Sequence, residues 1–339
     1  MPVFNAARFV DRAIRSILEQ SMGDFELLVI DDCSTDGSRE LLAAHRDSRI
    51  RLLGNAQNIG LGPTLNRGIR ESAGEYVARM DADDVSFPKR LELQAAFLDR
   101  EPGIGLCGGG AVTFHSDEEI DFHRRGDRLA ETPAALRMGL LFGPGVIHPT
   151  VMFRRRSFVE KGLWYRPLRY AQDYELWTRA FFILDPANIP DTVLWYRIHP
   201  DNAASRVRDT QELVKQHIWK PLLERLGIEA NGDELEAHSQ LADLRVTPDW
   251  SLVLGVHEWL LKLRKVGCGD SWWDEAVYQR LLSQRLFGFL QYATQQRLRP
   301  LHLALTSSLH PLRTATVLEA AKFVAKCLIG YQRKSRRAA

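Results

Sequence analysis

Apolar positions in the first two-thirds of the chain alternate between two periods. Val10, Ile14, Ile17 and Leu18 recur at helical spacing, with Asn5 upstream as a candidate cap. Phe25 to Ile30 is a short, nearly unbroken apolar run, the pattern of a strand buried on both faces. It ends in Asp31-Asp32, and Ser34, Thr35 and Asp36 open a helix through Leu41-Leu42. Ile50 to Leu53 is the next strand. The loop Asn58-Ile59-Gly60 leads to a helix from about Pro63 to Glu71. Tyr76 to Met80 is a further strand, Pro88 to Glu101 a helix with proline in its first turn, and Ile104 to Phe114 a strand with a glycine-rich middle. This βαβ order predicts a largely parallel sheet with helices on both faces.

From His115 to Thr132 the chain is polar and aperiodic, which reads as a loop. Val146 to Phe153 predicts a strand, Asp173 to Phe182 a helix, and Thr192 to Ile198 a strand. From about Arg206 the period is helical, clearest over Leu252–Val266, Asp274–Arg297 and Pro311–Gly330. Two domains are therefore expected: an α/β domain over 1–205 and a helical region over 206–339.

Composition changes this picture little. The 339 residues are 45% hydrophobic and 26% charged, values of an ordinary globular protein with a sizeable core. A net charge of +2 implies no general attraction to nucleic acid. The four cysteines, at 33, 107, 268 and 327, have no metal-ligand spacing and read as reduced thiols of a cytosolic protein. Met1 to Asn5 lacks the pattern of a secretion signal, and no stretch of about 18 apolar residues predicts a membrane-spanning helix.

Charge placement is more informative. In an open parallel sheet, ligands bind beyond the carboxyl ends of the strands. Two predicted strands end there in acid: Asp31-Asp32 and Asp81-Ala82-Asp83-Asp84. Carboxylates beside a phosphate ligand make sense when a hard divalent cation bridges them. Asp81-x-Asp83 thus reads as a site for Mg²⁺ or Mn²⁺ and a diphosphate, or else as a solvated acidic turn before the helix at Pro88. Asp173 is either a helix cap or a general base. His199 is a metal ligand or a loop histidine. Gly108-Gly109-Gly110 reads as close backbone packing, His148-Pro149 as structural. Trp164, Tyr165 and Tyr170 belong either to the core or to an acceptor-stacking surface.

Met1-Pro2-Val3-Phe4-Asn5, the run Val29 to Ser38, Asn58-Ile59-Gly60, Asn66-Arg67-Gly68, Glu75 to Asp84, Gln172 to Trp177 and Tyr196-Arg197-Ile198-His199 occur in an order that resembles family 2 glycosyltransferases. The resemblance covers about residues 1–205. It implies a GT-A, Rossmann-like fold and inverting transfer of a sugar from a nucleotide diphosphate donor to a glycan or lipid-linked acceptor. It also implies site roles. Pro2, Asn5, Asp31, Asp32 and Asp81 would contact the nucleotide. Asp83 and His199 would hold the metal, and Asp173 would be the base.

Two departures stand out. The family pattern has an apolar strand directly before the Pro-x-x-Asn turn, whereas this sequence starts at the turn. Neighbouring strands are then expected to lack a partner, as if Met1 were an internal residue or the protein truncated. The late acidic motif reads Gln172-Asp173 rather than Glu-Asp. A nucleotidyltransferase would need a glycine-rich basic loop that Asn5-Ala6-Ala7-Arg8 is not. A binding protein without catalysis would not need Asp83 and Asp173. At the far end, a helix near Leu318–Ile329 followed by Arg333-Lys334-Ser335-Arg336-Arg337 is either packed on the catalytic domain or a basic amphipathic helix in peripheral contact with the inner face of a membrane.

Overall fold

The computed structural model describes residues 1–126, 129–199, 214–242, 247–267 and 273–331. Its contacts divide the chain into two compact units. Unit 1 is Met1–Arg137 with Pro144–Ala204, and unit 2 is Met138–Gly143 with Ser205–Ala339.

Unit 1 contains two sheets. In the first, β1 (Pro2–Val3), β2 (Leu27–Asp31) and β3 (Ile50–Gly54) run parallel in the order β1-β2-β3. Every residue of β2 is buried, which explains the unbroken apolar run that announces it. Helix α1 (Val10–Leu18) turns Val10, Ile14 and Ile17 inward, where they pack with Val3, Leu27, Val29 and Leu42. Helices α2 (Ser38–Ala44) and α3 (Leu61–Glu71) follow β2 and β3.

The second sheet uses β4 (Tyr76–Ala78), β5 (Val85–Ser86), β6 (Ile104–Phe114), β7 (Met152–Arg154) and β8 (Asp185–Arg197), in the order β4-β7-β6-β8-β5. It is mixed rather than parallel: of its neighbouring strand pairs only β6 and β8 are parallel. Helices α4 (Arg90–Arg100), α5 (Pro133–Gly139), α6 (Arg155–Glu160) and α7 (Gln172–Ala180) complete the order up to residue 199. The expected strand Val146–Phe153 shortens to Met152–Arg154. Residues His148–Thr150 instead form a 3₁₀ turn, where Pro149 has no backbone N–H for a ladder. Asn5 caps no helix; it adopts φ +50° in the turn before α1.

A cavity of about 620 Å³ lies between β2 and β4, lined by Leu28, Ile30, Ile69, Val77 and Met80 among others. At its edge the Met1 nitrogen donates to the Leu28 carbonyl at 2.8 Å.

The glycines of β6 are required by close approach. A Cβ on Gly108 would stand 2.4 Å from Asn188 Oδ1. Asn188 cannot swing aside, because it is 3% exposed and its amide donates to the carbonyls of Ala130 and Gly145 at 2.8 and 3.0 Å. Gly108→Ala is therefore expected to destabilise unit 1 by about 1–3 kcal/mol, the usual range for overpacking. A denaturant melt that shows no shift in midpoint would contradict this.

Unit 2 is helical: α8 (Lys220–Arg225), α9 (Gly232–Ala242), α10 (Trp250–Arg264), α11 (Glu275–Leu290), α12 (Leu298–Thr306) and α13 (Val317–Ile329). Asp249, Asp274 and Thr316 cap α10, α11 and α13 through side-chain oxygens. Its interior is aromatic and leucine-rich. The buried His238 accepts from Trp259 Nε1 at 3.1 Å and uses its other nitrogen on the Leu141 carbonyl. Burial pushes this imidazole down to about 4, so it stays neutral. Residues 206–213, 243–246, 268–272 and 332–339 of the expected helical region, among them Cys268 and the basic run from Arg333 to Arg337, lie outside the described residues. Cys33, Cys107 and Cys327 are free thiols. Among the described residues, no helix is long and apolar enough to cross a membrane.

Candidate active site

The carboxyl end of β2 is tied to the turn after β1. Asn5 Oδ1 accepts from the Thr35 amide at 2.8 Å, Ser34 Oγ accepts from the Asn5 amide at 3.0 Å, and Asp36 Oδ2 accepts from the Ala7 amide at 2.9 Å. Asp31, 1% exposed, is paired with Arg39 at 3.0 Å. Asp32 is 4% exposed and holds the loop before α3. It accepts from Asn55 Nδ2 at 2.7 Å, the Ile59 amide at 3.0 Å and the Gly60 amide at 2.9 Å. Pro2, Asn5, Asp31 and Asp32 thus come together at one strand end. The Asp32 carboxylate, however, is occupied in positioning the 55–60 loop.

The second acidic cluster follows β4. One ligand oxygen each of Asp81, Asp83 and Asp84 can lie within 4.8 Å of the others. Asp81 is ion-paired with the buried Arg79. Asp84 is 1% exposed; its Oδ1 accepts from the Arg197 amide at 2.9 Å, while its buried Oδ2 has no hydrogen-bond partner among the described residues. Burial raises the Asp81 carboxyl above the usual carboxylate range, and the negative charge of Asp83 adds to this. Burial, then Asp81 and Asp83, push Asp84 up further. A buried oxygen with no donor, in an all-oxygen set strained by mutual repulsion, fits a hard divalent cation. Asp84 was not singled out by sequence; the only signal was its place in Asp81-Ala82-Asp83-Asp84.

β8 delivers the late motif to this cluster. Arg197 Nε donates to the Asp83 carbonyl at 2.7 Å, and its guanidinium lies between the rings of Phe9 and Phe114, at 4.8 and 4.3 Å. His199 Nε2 stands 3.0 Å from Asp83 Oδ2. The two residues that the resemblance assigns to metal are therefore already in contact.

Asp173 is the second residue of α7, not its cap. Ala171, at φ +54°, holds the cap position without a side-chain bond. Burial raises the Asp173 carboxyl, with the Tyr174 amide and then Arg79 opposing the rise. Its negative charge in turn contributes to the rise at Asp81, so base candidate and acidic cluster share one electrostatic site. Glu175, the next carboxylate of that motif, is 2% exposed and paired with Arg179 at 2.8 Å, a structural role.

Sequence reasoning set His148 aside as structural, yet its Nδ1 lies 3.9 Å from Asp173 Oδ2. On the other side, His148 Nε2 is 2.8 Å from Tyr165 Oη. Burial, then the positive charge of Arg79, hold the imidazole well below its ordinary value, so it is neutral. If Tyr165 donates to Nε2, the ring proton sits on Nδ1 and faces the Asp173 carboxylate. Asn66 fixes Tyr165 by a two-way bond: its amide donates to the Tyr165 carbonyl at 2.8 Å, and its carbonyl accepts from the Tyr165 amide at 2.9 Å. Tyr165 is 4% exposed and so belongs to the interior, not to a stacking surface.

Residues 1–162 match the family described as Glycosyl transferase family 2. A relative named EpsE, from Bacillus subtilis (strain 168), is 36% identical over 189 residues, 53% of this chain and 65% of that protein. The amylovoran biosynthesis glycosyltransferase AmsE of Erwinia amylovora is 28% identical over 207 residues, 58% of this chain and 73% of that protein. The chain thus spans just under two-thirds of EpsE. Among solved structures, TarS 1–349 of S. aureus in complex with UDP-GlcNAc superposes with a TM-score of 0.54 at 16% identity, over 97% of this chain and 88% of that one. The mannosyltransferase PcManGT of Pyrobaculum calidifontis, in complex with GDP-Man and Mn²⁺, gives 0.51 at 20% identity, over 97% and 84%. These two likenesses establish the GT-A fold.

Proposed function

We propose, for a chain that belongs through residues 1–162 to glycosyl transferase family 2, that it transfers a sugar from a nucleotide diphosphate donor to an acceptor hydroxyl, with inversion at the anomeric carbon. The observation that carries this reading is one site with two kinds of carboxylate. Asp81, Asp83 and Asp84 cluster, and the buried Asp173 acts on Asp81 through space. Asp83, Asp84 and His199 would hold Mg²⁺ or Mn²⁺, with Asp81 beside them. A bound divalent ion would neutralise the charge that develops on the leaving diphosphate. Pro2, Asn5 and Asp31 border the nucleotide, and Asp32 contributes by holding the 55–60 loop in place.

Asp173 takes the proton of the acceptor hydroxyl as its oxygen attacks the anomeric carbon. Its raised affinity for protons makes it a stronger base than an exposed aspartate. The neutral His148 ring, held by Tyr165, lies beside that carboxylate at 3.9 Å. No second carboxylate is needed as a nucleophile, which is why a single displacement and inversion are proposed. UDP-GlcNAc and GDP-Man, bound by the two structural neighbours, define the first donors to try. The acceptor is a glycan or a lipid-linked sugar of polysaccharide synthesis, and the protein works in the cytoplasm or at the inner face of its membrane.

The test is a panel of UDP- and GDP-sugars with and without Mn²⁺, read by release of nucleoside diphosphate. Metal-dependent release from one donor class is expected. Formation of nucleoside triphosphate and sugar 1-phosphate when pyrophosphate is added, or no release of nucleoside diphosphate from any donor with metal present, would contradict the reading.

A further inference from the structure

Charge is distributed unevenly along this chain. From Tyr292 to the end the sequence holds nine lysines and arginines against one acid, Glu319. The preceding 291 residues hold 36 basic and 42 acidic side chains, so the small net charge of the whole hides a strongly basic end. That single acid is engaged locally. Glu319 accepts from the Thr316 amide and hydroxyl at 2.8 Å in a capping box at the start of α13.

Helix α13 has two apolar faces. One is internal: Phe323 and Cys327 are 0% exposed, and the Phe323 ring meets Phe287 at 5.5 Å. The other is open. Val317, Leu318, Leu328 and Ile329 are 90, 63, 61 and 73% exposed, and Ala321 and Ala325 are exposed between them. Positions 317, 321 and 328, with 318, 325 and 329, fall on one stripe of a 3.6-residue helix. Lys322 borders that stripe. Leu305 of α12, a neighbouring helix, is 65% exposed. Large aliphatic side chains so exposed are not the ordinary scatter of surface leucines.

We propose that the open face of α13 is a docking surface for an anionic lipid bilayer, with the aliphatic stripe entering the boundary between headgroups and acyl chains. This deepens the membrane contact of the proposed function and rests on that reading for its purpose, not for its geometry. Two observations select the occupant. A second copy of this face would pair two copies of a segment that carries nine basic residues against one acid. A nucleic acid would find aliphatic side chains where stacking aromatics are needed. An anionic membrane satisfies both the stripe and the charge.

The inner face of α13 is part of the unit 2 core, so deleting the helix would damage the fold. Substituting the exposed residues does not. The experiment is co-sedimentation of the full chain with vesicles of phosphatidylcholine alone and with phosphatidylglycerol added, at low and high salt. It compares the chain with Leu318→Glu/Leu328→Glu/Ile329→Glu. The unsubstituted chain should pellet with the anionic vesicles, less so at high salt, and poorly with the neutral ones. The triple variant should lose at least ~tenfold in partitioning with its melting temperature unchanged. Equal pelleting of the two proteins would overturn the proposal. So would a concentration-dependent dimer abolished by the triple variant, which would assign the face to a second copy. Nucleoside diphosphate release from the free donor, measured on both proteins without vesicles, reports separately on glycosyl transfer, because the substituted residues are far in sequence from the site of unit 1.

Discussion

Asp173→Asn should lower turnover by about 10²- to 10⁴-fold, the range that a positioned general base contributes, while the affinity for donor stays nearly unchanged. The base acts on the acceptor proton and not on the nucleotide, so the loss should fall on kcat. The same burial that strengthens the base fixes the pH profile. Only the ionised carboxylate accepts a proton, so activity must fall as pH drops through the pKa of Asp173. That acidic limb should lie above the value of about 4 typical of an exposed aspartate. Stability should move the other way. A carboxyl whose folded pKa is raised binds its proton more tightly in the folded state than in the unfolded one. Its ionised form therefore opposes folding at neutral pH. Asn has nearly the same shape without the charge, so the variant should melt at the same temperature or higher. A variant with weakened donor binding and preserved turnover would remove Asp173 from the role of base.

Asp83→Asn should abolish metal dependence together with activity, with a loss of about 10²-fold or more if a divalent ion supplies the electrostatic stabilisation of the leaving group. Asp83 offers the carboxylate that His199 already touches at 3.0 Å, and it raises the proton affinity of both Asp81 and Asp84. Removing its charge leaves the cluster with less repulsion and fewer ligands. Mn²⁺ should raise the melting temperature of the unsubstituted protein, because an ion that binds only the folded state stabilises it by mass action. The same addition should leave Asp83→Asn unmoved. The Mn²⁺ effect should also weaken as pH falls, since protons compete for Asp81 and Asp84. Full activity in excess EDTA would exclude this account of the cluster.

The local pattern disclosed what depends on near neighbours. Burial on both faces made β2 visible as an apolar run, and Asp81-x-Asp83 stood out because two carboxylates follow a strand. Pairings between distant segments were not visible. β4 meets β7 antiparallel, Tyr76 opposite Arg154, and nothing in the local period of either strand announces it. A largely parallel sheet is what the local pattern predicts; the first sheet is parallel and the second is mixed. His148 escaped for the same reason. A histidine inside the apolar stretch Val146–Phe153 reads as packing, and only the fold brings its ring to Asp173. Asp84 has no signal in the sequence beyond its place after Asp83; burial, which leaves one of its oxygens without a donor among the described residues, marks it. Asn5 carries a side chain suited to a cap, yet the turn places it in the left-handed region, where it binds Thr35 instead.

The central claim is a single displacement in which Asp173 deprotonates the acceptor and the metal-held diphosphate leaves from the opposite face. The anomeric configuration of the product tests it most directly. With an α-linked nucleotide sugar identified from the donor panel, the glycoside formed by the unsubstituted enzyme can be read by the coupling constant of its anomeric proton in NMR, or by anomer-specific glycosidase digestion where the sugar makes that coupling uninformative. The account predicts the β-linked product alone. An α-linked product would mean two displacements or a front-face mechanism, and would contradict it.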